Sequence, residues 1–276
     1  MNRMQASPPS HSEMNPSAAP TPEVNFKARR VTLPGYLKQT ASLANFFGHA
    51  TWLSLSYGLF SRMERTGSAE ENSQNWVRRK FLGFEDALCR TGQFQTDLES
   101  VRPLADLSGT IVVANHPSLL DAFFLLSRIP RSRCIIRSGI MHNPCFSGAA
   151  RACGYILNDS GHTFVKQSVK HLKNGDNLLI FPEGSRTYPG QKIHPFKQGF
   201  ALAALKSGAP VQCVFIRMSE SHLSKGRSLF SPAHLPIHLQ MTLGPRLQPS
   251  AGESPASFTS RVEALYQDDA VVGLIP

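Results

Sequence analysis

A histidine and an aspartate stand five positions apart in VVANHPSLLD (residues 112–121), where a run of apolar residues ends. An imidazole accepts a proton near neutral pH. A carboxylate beside it can fix its tautomer and stabilise the imidazolium that forms. His116 and Asp121 so arranged would deprotonate an alcohol. Pro117 suits the first turn of a helix, because its missing N–H would be unpaired there anyway. This reading puts His116 at a strand-to-helix junction and Asp121 about one turn into the helix. Either residue alone reads better as a capping or surface group, and only the pair at this junction points to base chemistry.

A second constellation lies in LLIFPEGSRTYPGQKIHPFKQGFA (residues 178–201), where another apolar run delivers Glu183, Gly184, Ser185, Arg186 and Thr187 to a loop. The glycine permits close backbone approach, and the hydroxyls and N–H groups can bind oxyanions. Arg186 offers a planar fork for phosphate or carboxylate. The competing reading is a structural turn in which Glu183 and Arg186 pair with each other.

These loops need elements to hold them. Strand patterns occur at 110–115, 134–138, 155–157, 177–181, 210–218 and 237–243. They alternate with helix patterns at 118–128, 144–154, 163–175, 199–208 and 255–269. Continuously apolar strands alternating with helices predict an α/β fold with a mainly parallel or mixed sheet covered by helices, with function at the strand ends. Upstream, NWVRRKFLGFEDALCRTG (75–92) places Val77, Phe81, Phe84 and Leu88 on one helical face, with Gly92 as its C-cap. Arg78, Arg79 and Lys80 fit either acidic headgroups or an ordinary solvated face.

Residues 41–60 contain no Asp, Glu, Lys or Arg, and Lys38, Arg62 and Arg65 bracket them. The stretch approaches the roughly 20 residues of a membrane span, but its polar residues favour an interfacial or partly embedded helix, with a buried core helix as the alternative. The Ser/Pro/Ala-biased start predicts a disordered lead over 1–35 and lacks the apolar core of a secretory signal peptide. The expected organisation is this lead, a helical membrane-associating segment over 36–92, and an α/β domain over 93–276.

The formal charge of +10 calls for an anionic neighbour. No helix-turn-helix, zinc-finger spacing or aromatic-basic RNA motif appears, so nucleic acid is not the expected partner. Five scattered cysteines without a C-x-x-C pair fit reduced thiols on the cytoplasmic side, and no metal or cofactor is expected.

NHPSLLD resembles the H-x-x-x-x-D motif, and FPEGSRT the F-P-E-G-T/S-R motif, of the membrane-associated glycerolipid acyltransferases. The likeness covers about residues 85–245, and FKQGFA (196–201) and LSKGRS (223–228) resemble the surroundings seen in that family. The resemblance implies that His116 is a general base activating an acceptor hydroxyl, that Asp121 orients it, and that Glu183, Gly184 and Arg186 shape the acceptor pocket, with Arg186 near a phosphate. It further implies an acyl-CoA or acyl carrier protein donor, a lysophospholipid-like acceptor, and a peripheral or monotopic place on the cytoplasmic face of the inner or plasma membrane. A thioester is already activated, so no acyl-enzyme serine is needed, and no G-x-S-x-G elbow occurs. Two features depart from the family. GYILNDSGH (154–162) carries Asn158 and Asp159 where many phosphate-accepting members have an arginine, and PVQCVFI (210–216) replaces V-P-V. Lys166 and Lys170 could supply the charge. An amino-lipid, glycolipid or pigment-linked acceptor, or a non-catalytic membrane-surface protein, are the alternatives.

Overall fold

The computed structural model describes residues 32–60, 67–158, 161–268 and 270–275. Residues 1–31, which make up most of the expected lead, and Asp159 lie outside them. The remainder of that lead is folded: Leu33, Pro34 and Gly35 form the first turn of helix α1 (Leu33–Phe60), where proline is tolerated. Helix α2 (Gly67–Arg90) follows and ends as expected, with Gly92 in the left-handed region (φ 71°) and Gln93 N–H donating to Leu88 O at 2.9 Å.

The sheet is built from β1 (Phe94–Asp97), β2 (Ile111–Ala114), β3 (Ser132–Ile136), β4 (Ile156–Leu157), β5 (Asn177–Ile180), β6 (Val211–Met218) and β7 (Ile237–Leu247), in the order β1-β7-β6-β2-β5-β3-β4, with β8 (Gly273–Leu274) pairing β6. Every pairing is parallel except β6 with β7. The helices between the strands are α3 (Asp121–Leu126), α4 (Ser138–His142), α5 (Ser147–Ala152), α6 (Gly161–Lys173), α7 (Gly199–Ser207) and α8 (Pro255–Ala264).

Side chains alternate across the central strands. Val112, Ala114, Leu179, Val214 and Ile216 face one apolar layer with Leu43 of α1 and Phe124 of α3. Ile111, Val113, Leu178, Cys213 and Phe215 face the other with Val165, Phe200 and Phe258 of α6, α7 and α8. Both faces are buried, so these strands read as unbroken apolar runs.

One expectation is corrected. The helix expected over 118–128 begins only at Asp121, because the Asp121 carboxylate accepts the Ser118 N–H at 2.7 Å and closes a turn ahead of it. Asp121 is therefore the first residue of α3 rather than a turn inside it. The 41–60 stretch is helical, yet none of the described helices is long and apolar enough to cross a membrane. One side of α1 packs on the α/β layer: Phe46 is buried against Phe84, Phe123 and Phe146. A Cβ at Gly148 of α5 would collide with the Ser54 backbone, so only glycine permits this approach. The opposite side exposes Leu37, Trp52 and Leu55.

Candidate active site

Strands β2 and β5 are parallel neighbours with Val113 opposite Ile180. His116 lies three residues past Val113 and Glu183 three past Ile180, so the register brings the two loops together at the same sheet edge. The junction is secured twice. Asn115 continues the β2–β6 ladder with its side chain, its amide donating to Ile216 O and its carbonyl accepting from Ile216 N, both at 2.8 Å. The His116 N–H donates to Glu183 Oε1 at 2.8 Å, and the His116 carbonyl accepts from Thr187 N at 2.8 Å.

The imidazole is held on two sides. Its ring stacks on Phe181 at 4.0 Å, and Nδ1 lies 3.1 Å from Asp121 Oδ2. That oxygen also accepts the Ser118 N–H. A carboxylate on Nδ1 places the neutral ring's hydrogen there and leaves Nε2 as the proton-accepting atom. Nε2 has no hydrogen bond among the described residues. Asp121 is fully buried. Burial pushes its carboxyl up from the ordinary value, while the bond and charge of His116 pull the other way.

Glu183 and Thr187, expected to bind substrate, turn inward instead. Both are nearly inaccessible, and Glu183 Oε2 accepts from Thr187 Oγ1 at 3.0 Å and from His194 N at 2.8 Å. Burial raises the Glu183 carboxyl, opposed by these bonds. Its carboxylate is filled by backbone and hydroxyl donors rather than by Arg186, so the expected alternative of a Glu183–Arg186 turn does not form. Glu183 instead ties the two motifs together.

Gly184, Ser185 and Arg186 do face a cavity of about 1270 Å³ that His116 also lines. Gly184 has φ 67°, and a side chain there would meet Lys197. Arg186 Nη1 donates to Leu223 O at 2.7 Å. Burial lowers the guanidinium from the ordinary arginine value, and the charge of Asp121 opposes this. The deeper wall is apolar, with Val77 and Phe81 from α2, Phe123 from α3, and Ile140 and Phe146. Lys166 lines the cavity and Lys170 does not. Asn158 is also at the wall.

Three contributors escaped the sequence reading. Arg137 lines the cavity just past β3, and the rule that placed His116 beyond β2 applies to it equally. Leu223, at φ 55°, presents its carbonyl to both Arg186 and the Leu119 N–H; the resemblance marked its LSKGRS segment but gave it no role. His194 borders Ser185, its Nδ1 3.2 Å from the hydroxyl.

Comparison with known proteins finds similar sequences and a similar fold. Residues 95–217 match the acyltransferase family model. A 1-acyl-sn-glycerol-3-phosphate acyltransferase of Helicobacter pylori is 33% identical over 113 residues, covering 39% of this chain and 48% of that protein. A chloroplastic one of Brassica napus is 31% identical over 124 residues, covering 43% and 36%. The corresponding Pseudomonas aeruginosa protein is 26% identical over 163 residues, covering 56% and 61%. The chain thus spans about half the length, or less, of the first two relatives. The crystal structure of the 1-acyl-sn-glycerophosphate acyltransferase PlsC from Thermotoga maritima shares the fold, with a TM-score of 0.62 at 20% identity, covering 84% of this chain and 95% of that one. Both constellations fall within the matched residues, and the chain is similar to the 1-acyl-sn-glycerol-3-phosphate acyltransferases, in sequence over part of its length and in fold.

Proposed function

We propose that the protein moves a fatty acyl group from an acyl thioester, acyl-CoA or acyl carrier protein, to a hydroxyl of a lysophospholipid-like acceptor. The observation that carries this reading is the His116 ring, fixed at Nδ1 by buried Asp121 and at its face by Phe181, with Nε2 unpaired among the described residues beside a large, mostly apolar cavity. Nε2 takes the acceptor's hydroxyl proton as that oxygen attacks the thioester carbonyl. The tetrahedral intermediate then expels the thiolate, which receives the proton from the imidazolium. Asp121 stabilises the imidazolium between the two transfers. Ser118 is not a nucleophile: its side chain is buried, and its Oγ accepts the Leu120 N–H at 3.3 Å.

A phosphate-bearing acceptor is supported by Arg137, Lys166 and Arg186, which all line the cavity. They compensate for the arginine missing between the motifs. The apolar wall suits acyl chains. The outward Leu37, Trp52 and Leu55 of α1 suit a peripheral or monotopic position on the cytoplasmic face of the inner or plasma membrane.

The test is steady-state acyl transfer by the full chain in detergent. Both donors are compared, with lysophosphatidic acid against neutral and amino-lipid lyso-acceptors. Lysophosphatidic acid is expected to be preferred, and His116→Ala to cut turnover by roughly a hundred- to ten-thousand-fold. Wild-type turnover in a folded His116→Ala protein would end the general-base reading. A strong preference for uncharged or amino-lipid acceptors would end the phosphate assignment.

A further inference from the structure

Ser185 is the hydroxyl of the second motif that faces the cavity, and it is not isolated. Its Oγ lies 3.2 Å from His194 Nδ1, and His194 Nε2 lies 2.8 Å from Gln191 Oε1. The turn that closes with Gln191 N–H donating to Tyr188 O at 3.1 Å, with Gly190 at φ 80°, delivers the glutamine to the far side of the ring. The near side is anchored as the His194 N–H donates to Glu183 Oε2. Ring position and amide position are therefore both fixed by the chain.

An amide oxygen only accepts hydrogen bonds, so Nε2 carries the hydrogen of the neutral imidazole and Nδ1 presents a bare lone pair. The Ser185 hydroxyl has one hydrogen. With His194 neutral, its local acceptors are Nδ1 at 3.2 Å and the Arg186 carbonyl at 3.3 Å, so it turns lone pairs toward the cavity. Protonation makes Nδ1 a donor. Ser185 Oγ must then accept from the ring, and its own hydrogen is free of the ring, to be shared between the Arg186 carbonyl and a group in the cavity. The same side chain thus becomes able to donate into the cavity, while a positive charge appears one hydrogen bond away. The other charged or titratable groups about the ring are Glu183, with Oε2 3.7 Å from Nδ1, Tyr188, whose ring centre is 5.6 Å away, and Lys225, whose ammonium lies over the Tyr188 ring at 4.9 Å.

We infer that His194 is a positioning residue that sets the hydrogen-bond sense of Ser185, so that the cavity holds an oxyanion headgroup more tightly when His194 is protonated. The inference rests on the acceptor reading above only in taking Ser185 to face the headgroup. Its sign follows from the added positive charge and from the donor that protonation can turn toward the cavity. Oxyanion affinity is therefore greatest at low pH and falls as pH rises.

Sulfate is the probe, because it is a tetrahedral dianion at every pH used and its own titration cannot mimic the effect. Calorimetric binding of sulfate to the full chain in detergent is compared for wild type and His194→Asn between pH 5.5 and 8. The asparagine approximates the Nδ1 position and carries no charge. Loss of a charge-assisted bond and a nearby charge should make the wild-type affinity fall by roughly fivefold to tenfold more than that of the variant across this range. Ser185→Ala should remove most of the difference between the two. A merely structural role for His194 would weaken binding equally at every pH, and equal pH slopes in wild type and variant would overturn the inference. Histidine ¹⁵N spectra of the wild-type chain test it independently of folding of the variant: the Nε2–H tautomer is expected at pH 8, and the Nδ1–H tautomer would overturn it. Failure to acylate lysophosphatidic acid would defeat the acceptor reading and leave both of these measurements decisive for His194.

Discussion

Replacing Asp176 with asparagine should destabilise the protein in a way that depends on pH. Asp176 sits just before β5 with its side chain 7% exposed. Oδ1 accepts from Arg131 Nη2 at 2.9 Å, and Oδ2 accepts from Arg133 Nε at 2.9 Å and from His171 Nδ1 at 3.0 Å. Arg133 in turn donates to Glu70 of α2 at 2.7 Å. Burial alone would raise the Asp176 carboxyl, but the bonds from His171, Arg133 and Arg131 outweigh it and hold it at about 2, against an ordinary 3.8. A depressed acid contributes stability that is complete above its unfolded value and is lost as pH falls through its folded value, here between about 4 and 2. A difference of nearly two units corresponds to about 2 kcal/mol. Asparagine also removes one of the two carboxylates that pair with the buried Arg133, the other being Glu70, so the total cost at pH 5 should be about 3–5 kcal/mol. Urea unfolding followed by tryptophan fluorescence, run at pH 5 and pH 3, should show the gap between wild type and variant narrowing by about 1 kcal/mol at pH 3. A variant within about 1 kcal/mol of wild type at pH 5, or a gap that does not change, would refute the reasoning.

Asp121→Asn should lower turnover by roughly a hundred- to ten-thousand-fold with the melting transition retained, because the amide can still receive the Ser118 N–H but cannot stabilise an imidazolium; turnover within about tenfold of wild type would count against it. Two changes on α1 separate its faces. Trp52→Glu with Leu55→Lys, at exposed positions, should release the chain from liposomes in flotation assays without altering its unfolding. Phe46→Glu, at a position 7% exposed among aromatic rings, should destabilise it by several kcal/mol. Flotation unchanged by the outer pair would show that α1 does not attach the protein to membranes.

Legibility of the fold depended on how each strand is buried. β2, β5 and β6 are covered on both faces and appear in the sequence as continuous apolar runs, so their limits were read to within a residue or two. β1, FQTD, buries only Phe94 fully and offers no such run, so it was missed. β7 continues beyond 243 through Gly244 and Pro245, residues that argue for a strand's end when read locally. For the site, strand-end placement located His116, Asp121, Ser185 and Arg186. It did not show which side chains turn inward. Glu183 reads as a pocket carboxylate until its three donors, from His116, His194 and Thr187, are seen to converge, and those come from sequence positions up to 67 residues apart. The Asn115 side chain acting as a rung of the β2–β6 ladder is likewise a long-range fact, joining residues 101 apart.

The pairing of Val113 with Ile180 also bears on how such a chain can change length over time. The distance from ladder to reacting atoms is counted in residues, three on each strand, and one added residue would displace His116 by about 3.3 Å and break its bond to Glu183. Insertions and deletions along a lineage are therefore barred from the segments between β2 and His116 and between β5 and Glu183, however mild the residues involved. The opposite ends of the same strands, at the Gly109 and Gly175 turns, carry no such count. Growth and trimming belong there, and in the outer loops, while new specificities arise by exchanging side chains around a span whose length is fixed.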